Sequence, residues 1–512
     1  MPSSFTPVLS CIAAIAVALG ALALPVSGES LPDLAAPSYA DVLPDALPAV
    51  AEASADLPRY TIDADLVVPG WTSPARIDGT IAVDWRNPGP KPATTLPLRL
   101  YPNAPAYGDG SMAVSAIAVD GIPVDASPSL DGTVLELPLP APVSPGESMT
   151  VAARFTTTVP VDSTAGFGIF SVKPTSRAMA LGHWYPMLAG SDAAGWSLDP
   201  LSLNGDPIFS PAAFYDVILR APGELEVVAT GIEVDSTPIG GAIERRFAAG
   251  PVRDMTLVAG GGWIAEATET AGVRVTAYGQ PGNETANAAV LAAATASLDA
   301  FGERFGPYPY RELDLVQMDL AGAAGMEFPG LVLIGNGVYG SILGPDALYA
   351  ETVVAHEVAH QWWYGIVGSN NHRHAFIDEG ISEWAGVALY LEARYGPTIA
   401  ASVWDDEVLG WWERSYARTG DLVVDSPTDA FASRTDYASA VYPKAALGFA
   451  AIRAEIGDDA FFAALANLAR SHAFAVVEPL EVRAAFEAAC ACDIQPSWHT
   501  WFELPSWDAT AR

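Results

Sequence analysis

His356-Glu357-Val358-Ala359-His360, followed by Asp378-Glu379-Gly380-Ile381-Ser382-Glu383, is the stretch that decides how this chain reads. On a helix His356 and His360 stand one turn apart, so both imidazoles leave the same face. Glu379 comes 19 positions after His360. Two imidazoles and one carboxylate are the donor set of a zinc site that keeps a position open. Glu357, next to a donor but not itself one, is placed to take a proton from an attacking water. Only 7 histidines occur in 512 residues, so two of them at this spacing around a glutamate are not background. Glu383 lies one turn beyond Glu379, where it can accept a hydrogen bond from the outer nitrogen of a ligating imidazole. A plain surface carboxylate explains Glu383 equally well. Asp378 has the same opportunity through its place beside Glu379.

Outward from the motif the texture is helical. Runs at 349–366, 379–395, 397–416, 442–456, 458–472 and 479–490 have helical periodicity. Upstream, 283–305 is an Ala-rich helix stopped by Gly306-Pro307-Tyr308-Pro309, and 313–318 and 331–334 read as strands. Before residue 262 the pattern changes to short alternating or β-branched runs at 61–68, 77–83, 149–155, 215–219 and 225–229. Turns such as 87–90 and 120–123 punctuate them, with Ile122 inside the second. The chain is therefore α+β: an all-β domain over 59–265, then an α-rich domain over 266–512 that carries the motif.

The ends and the composition bound the rest. Residues 8–26 are nearly all apolar, with Pro25, Ser27 and Gly28 behind them. Residues 1–28 read as an export signal cleaved near 24–28, with an uncleaved membrane anchor as the rival. A secreted or extracytoplasmic location follows, with the membrane reached only through that segment. Residues 29–58 have a spacer composition. The 25 basic and 60 acidic residues give a formal charge of −35, which argues against nucleic acid and anionic membrane surfaces as partners. Beyond the leader only Cys490 and Cys492 remain, read as reduced small side chains.

The spacing His356-Glu357-x-x-His360, eighteen residues, Glu379 resembles the signature of the aminopeptidase N-type zinc metallopeptidases, members of the gluzincins. Ala324-Gly325-Met326-Glu327-Phe328 is similar to that family's Gly-x-Met-Glu-Asn segment, and Tyr437 with Val441-Tyr442-Pro443-Lys444 to its paired tyrosines before a lysine. Phe305-Gly306-Pro307-Tyr308-Pro309-Tyr310 and the run from Phe486 to Trp501 are also family-like. The resemblance implies a thermolysin-like catalytic domain with one zinc held by His356, His360 and Glu379, and Glu357 as general base. It implies that Glu327, with Gly325 and Met326, binds the substrate and holds its α-amino group. Tyr442 would donate to the oxyanion, with Tyr437 and Glu383 supporting the site. The departures are Ala324 and Phe328, where the family has Gly and Asn. The family's glutamine segment in the β domain has no motif match, and 177–188 is the stretch nearest to its place. The large helical C-terminal domain of many relatives has no counterpart, which implies a more open cleft. His183, His372 and His374 read as packing or loop residues. The activity implied is zinc-dependent hydrolysis of the N-terminal bond of peptides. The alternatives are a gluzincin endopeptidase, favoured by Phe328 and the open cleft, and a peptide-binding protein of the same fold without turnover.

Overall fold

The structure, a computed structural model, describes residues 56–192, 195–205 and 208–505. The leader at 1–28 and nearly all of the spacer lie outside the described residues. Among the described residues no helix is long and apolar enough to cross a membrane.

The first part is built on an eight-stranded sheet. Arg59–Val67 alternates buried and exposed positions and puts Ile62, Ala64 and Leu66 inward, as a half-buried strand must. It pairs antiparallel with Ala75–Arg86, Ile62 opposite Ile81, and parallel with Ala213–Pro222. Two four-stranded sheets and a two-stranded pairing of Ser191–Asp192 with Gly195–Trp196 complete this part. The turn expected around Ile122 is tighter than the sequence suggested: Ile122–Pro123 folds back and pairs with Ala118 and Val119.

The second part opens with a five-stranded mixed sheet in the order Ile264–Thr270, Val273–Gly279, Glu312–Met318, Leu331–Gly335, Gly325–Met326. The helix Glu284–Phe305 joins the parallel pair Val273–Gly279 and Glu312–Met318, as a parallel crossover requires. From Ala347 onward the chain is helical, and one continuous apolar core runs from Tyr60 to Phe502 through both parts. The α+β reading holds.

Three local readings change. The helix expected over 349–366 ends at Ala359. Beyond it the buried guanidinium of Arg253 takes the carbonyls of Tyr364 (2.6 Å), Ile366 and Ala475 (2.6 Å), which ties the segment to the β part. Tyr442 does not open a helix. It lies in a π-helical turn, Ala440–Lys444, inside a helical run from Arg434 to Ile456. That wider turn accommodates Pro443, whose missing N–H would break a regular helix. Finally, Cys490 and Cys492 are disulfide-bonded, with their Cα atoms 5.2 Å apart. Ala491 between them has a left-handed backbone (φ 52°) at the end of Pro479–Cys490, which brings the sulfurs together.

Candidate active site

His356 projects from the buried face of the helix Ala347–Ala359, His360 is the residue that caps its C-terminal end, and Glu379 comes from the first turn of the helix Phe376–Trp384. His356 Nε2 and His360 Nε2 are 3.0 Å apart, and Glu379 Oε2 is 3.2 Å from each. Among the described residues this is the one set of three donors close enough to hold a metal ion. Tetrahedral zinc bonds of about 2.0–2.2 Å separate neighbouring donors by about 3.3 Å, so the triangle has the right size.

Its chemistry points the same way. His360 Nδ1 is 3.0 Å from the carbonyl of Trp363, which can only accept, so Nδ1 carries the proton and Nε2 turns a lone pair toward His356. His356 Nδ1 lies 3.2 Å from Glu383 Oε2, outside hydrogen-bond geometry but close enough for the carboxylate's charge to favour a proton on Nδ1. Two imidazole lone pairs 3.0 Å apart repel unless a cation lies between them. The residues present fit a zinc ion.

Glu357 is buried beside the triangle, and burial pushes its carboxyl up to about 8. Its Oε2 has no hydrogen-bond partner among the described residues. A buried carboxylate oxygen left open is costly, and Glu357 is one of the residues that line the cavity. Gly325 lies directly on this side chain: a Cβ there would stand 2.4 Å from Glu357 Cδ and Oε1. Gly325 and Met326 form the short edge strand of the mixed sheet, paired with Ile334 and Leu333.

Glu327 follows this strand. It is buried at the cavity, burial raises its carboxyl, and no lysine or arginine of the described residues lies within 4 Å of it. Phe328 points the other way. Its ring packs on His183 (centroids 5.8 Å) and against Gly182, and Gln361 binds its carbonyl. Phe328 thus leaves the cavity wall untouched, and its presence gives no support to an internal-cleavage reading.

Tyr442 donates to Glu379 Oε1 at 2.6 Å and stacks on Trp411. Tyr437 meets Tyr442 edge-on and packs against Gly205. Asp378 accepts from the backbone N–H of Glu379 at 2.8 Å, so it steadies that residue's backbone, not an imidazole. His372 and His374 bond to Thr428 and Asp425, outside the triangle. His183 lies in the core of the β part between Tyr107 (2.6 Å) and Asp254 (2.9 Å).

Around these residues is a cavity of about 280 Å³, near the lower end for ligand sites, about 300–1,000 Å³. The β part contributes Phe167 and Gly205 to it, not the stretch 177–188. Arg434, Glu407, Trp411 and Tyr349 complete the wall. None of these carries a motif, and only packing brings them here.

A sequence model of the peptidase family M1 domain matches residues 290–501, the interval that contains the triangle, Glu357, Glu327 and Tyr442. The chain carries a peptidase M1 domain. Aminopeptidase M1-B of Oryza sativa subsp. japonica is 24% identical over 314 residues, 58% of this chain and 34% of that protein. Aminopeptidase 2 of Candida albicans is 25% identical over 246 residues, 45% of this chain and 25% of that protein. The chain thus spans about a third of the length of the curated relatives it matches. An M1 zinc metallopeptidase from Deinococcus radiodurans has the same fold, with TM-score 0.64 at 17% identity, covering 89% of this chain and 96% of that one. A mutant of that enzyme bound to a Tyr-Ser-Ala substrate superposes with TM-score 0.61 at 17% identity, covering 87% of this chain and 93% of that one. The M1 domain and the β part before it together make the two-part fold of these neighbours.

Proposed function

We propose that this protein is a zinc-dependent aminopeptidase that removes the N-terminal residue of peptides. The observation that carries the reading is Glu327, a buried carboxylate with no lysine or arginine partner among the described residues, on the same cavity as the donor triangle and Glu357. A substrate's α-ammonium supplies the missing cation, and a charge-assisted bond in a buried site both binds and positions.

His356, His360 and Glu379 would hold the metal, which when bound supplies Lewis acidity to the scissile carbonyl and to water. Glu357 takes the proton from the attacking water and returns it to the leaving amine as the C–N bond breaks. Its carboxylate, buried beside the donor triangle and lining the cavity, is the group for that proton. Tyr442 turns its hydroxyl from Glu379 Oε1 to the oxygen where negative charge develops. The Glu383 carboxylate and the Trp363 carbonyl favour the Nδ1 protons of the two imidazoles throughout. The apolar start of the sequence supports export, and the N-terminus of the protein recovered outside its host cells tests that part.

The deciding experiment compares aminoacyl amides and peptides with free and N-acetylated amino ends. A strong preference for the free amine, greatly reduced in Glu327→Ala, is expected. Equal cleavage of both forms by the wild type would exclude the role of Glu327 and favour internal cleavage. Bound zinc without turnover of any peptide would favour the binding-protein reading.

A further inference from the structure

The cavity around the donor triangle is lined by five carboxylates, Glu327, Glu357, Glu379, Glu383 and Glu407, and by a single guanidinium, that of Arg434. Such a group stands out in a chain with 60 acidic and 25 basic residues. Among the described residues no carboxylate comes within 4.0 Å of Arg434, although its side chain is exposed at the cavity mouth. Arg220, Arg246, Arg373 and Arg453, by contrast, all have acidic partners.

Arg434 is nevertheless held in place. Its guanidinium lies 4.3 Å from the centroid of the Phe167 ring and donates to the carbonyl of Leu203 at 3.2 Å. Nη1 faces Gly322, where a Cβ would be 3.5 Å away. Ser433 caps the helical turn that begins at Arg434, accepting from Asp436 N at 3.1 Å. Segments far apart in sequence thus fix one cationic head group on the cavity wall with donors to spare, since a guanidinium has five N–H groups.

Its position relative to Glu327 gives it a side. Gly322 and Glu327 lie on one stretch, five residues apart, which spans at most about 16 Å when extended. A peptide anchored by its amine at Glu327 and following that stretch brings its second or third residue toward Gly322. We infer that Arg434 is a specificity-determining residue that binds a substrate carboxylate on the leaving side of the scissile bond. That carboxylate is either the free C-terminus of a short peptide or an acidic side chain at the second or third residue. The inference rests on the aminopeptidase reading above and adds a substrate class to it.

The test measures kcat/KM for matched peptide pairs in the wild type, Arg434→Gln and Arg434→Lys. Ala-Ala-Ala is compared as free acid and as amide, Ala-Glu-Ala-amide with Ala-Gln-Ala-amide, and Glu-Ala-Ala-amide with Gln-Ala-Ala-amide. The first pair reports the C-terminal carboxylate, the second an acidic side chain after the cleaved bond, and the third an acidic first residue. We expect the wild type to favour the carboxylate about 3- to 10-fold in the first or second pair. The advantage should shrink with added salt, vanish in Arg434→Gln and persist in part in Arg434→Lys. Ratios within one protein cancel any general loss of folding or activity. Equal rates within both pairs, or an advantage that survives Arg434→Gln, would overturn the inference while leaving the aminopeptidase reading intact. An advantage confined to the third pair would overturn the placement. If no free-amine peptide is cleaved, the aminopeptidase reading fails, and the same ratios are then read as affinities by calorimetry, with the same outcomes deciding.

Discussion

A methyl group added at Gly325 would stand 2.4 Å from Cδ and Oε1 of Glu357 and 2.5 Å from Cγ. Ordinary carbon contacts begin at about 3.5 Å, so the carboxylate must retreat by about 1 Å. The backbone gives no relief, because Gly325 is held by its pairing with Ile334. A misplacement of about 1 Å in a reacting group costs on the order of 100-fold in rate. Gly325→Ala should therefore lower kcat about 100-fold on a free-amine aminoacyl amide. Zinc content should be unchanged, since the three atoms nearest the new methyl all belong to Glu357 and not to the donor triangle. The control is the double variant with Glu357→Gln. If the methyl acts through Glu357, the double variant is no slower than Glu357→Gln alone, because both changes disable one group. Kinetics, metal analysis and a melting curve on the three variants decide the matter. Near-normal kcat in Gly325→Ala, or losses that multiply in the double variant, would refute the claim that Gly325 exists to make room for the base.

His360→Ala removes a donor and the Nε2 facing His356, so metal analysis should find most zinc gone and activity below about 1%; full occupancy would break the donor assignment. Tyr442→Phe should keep the metal and lower kcat about 100- to 1000-fold with less change in KM, and unchanged kcat would leave Tyr442 as a packing residue. Asp314 tests pH dependence away from the site. Burial pushes its carboxyl up to about 8, and Glu312 adds to the shift. A raised carboxyl favours folding fully only below its unfolded value of about 4, and that contribution is lost as pH rises toward 8. The stability advantage of Asp314→Asn over the wild type should widen by at least about 1 kcal/mol from pH 5 to pH 9. Equal differences in melting temperature at the two pH values would show that Asp314 is not buried as described.

The chemistry of the site was legible in the sequence where one helix sets the geometry. A spacing of four places His356 and His360 on one face whatever surrounds them, and Glu357 must then lie beside them. The alternation of Ile62, Ala64 and Leu66 similarly fixes the inward face of a strand before any partner is known. Only the tertiary structure decided what stands across the cavity. Phe167, Gly205 and Arg434 reach the wall from distant positions with no periodicity to announce them, because packing between elements selects them. The same holds for Phe328, whose ring packs beside His183 and Gly182 of the β part, and for the Arg253 contacts that tie Tyr364 and Ile366, beyond the motif helix, to that part. Local spacing is set by backbone geometry and can be read from residue numbers. Contacts across a core depend on which surfaces fit once the chain has folded.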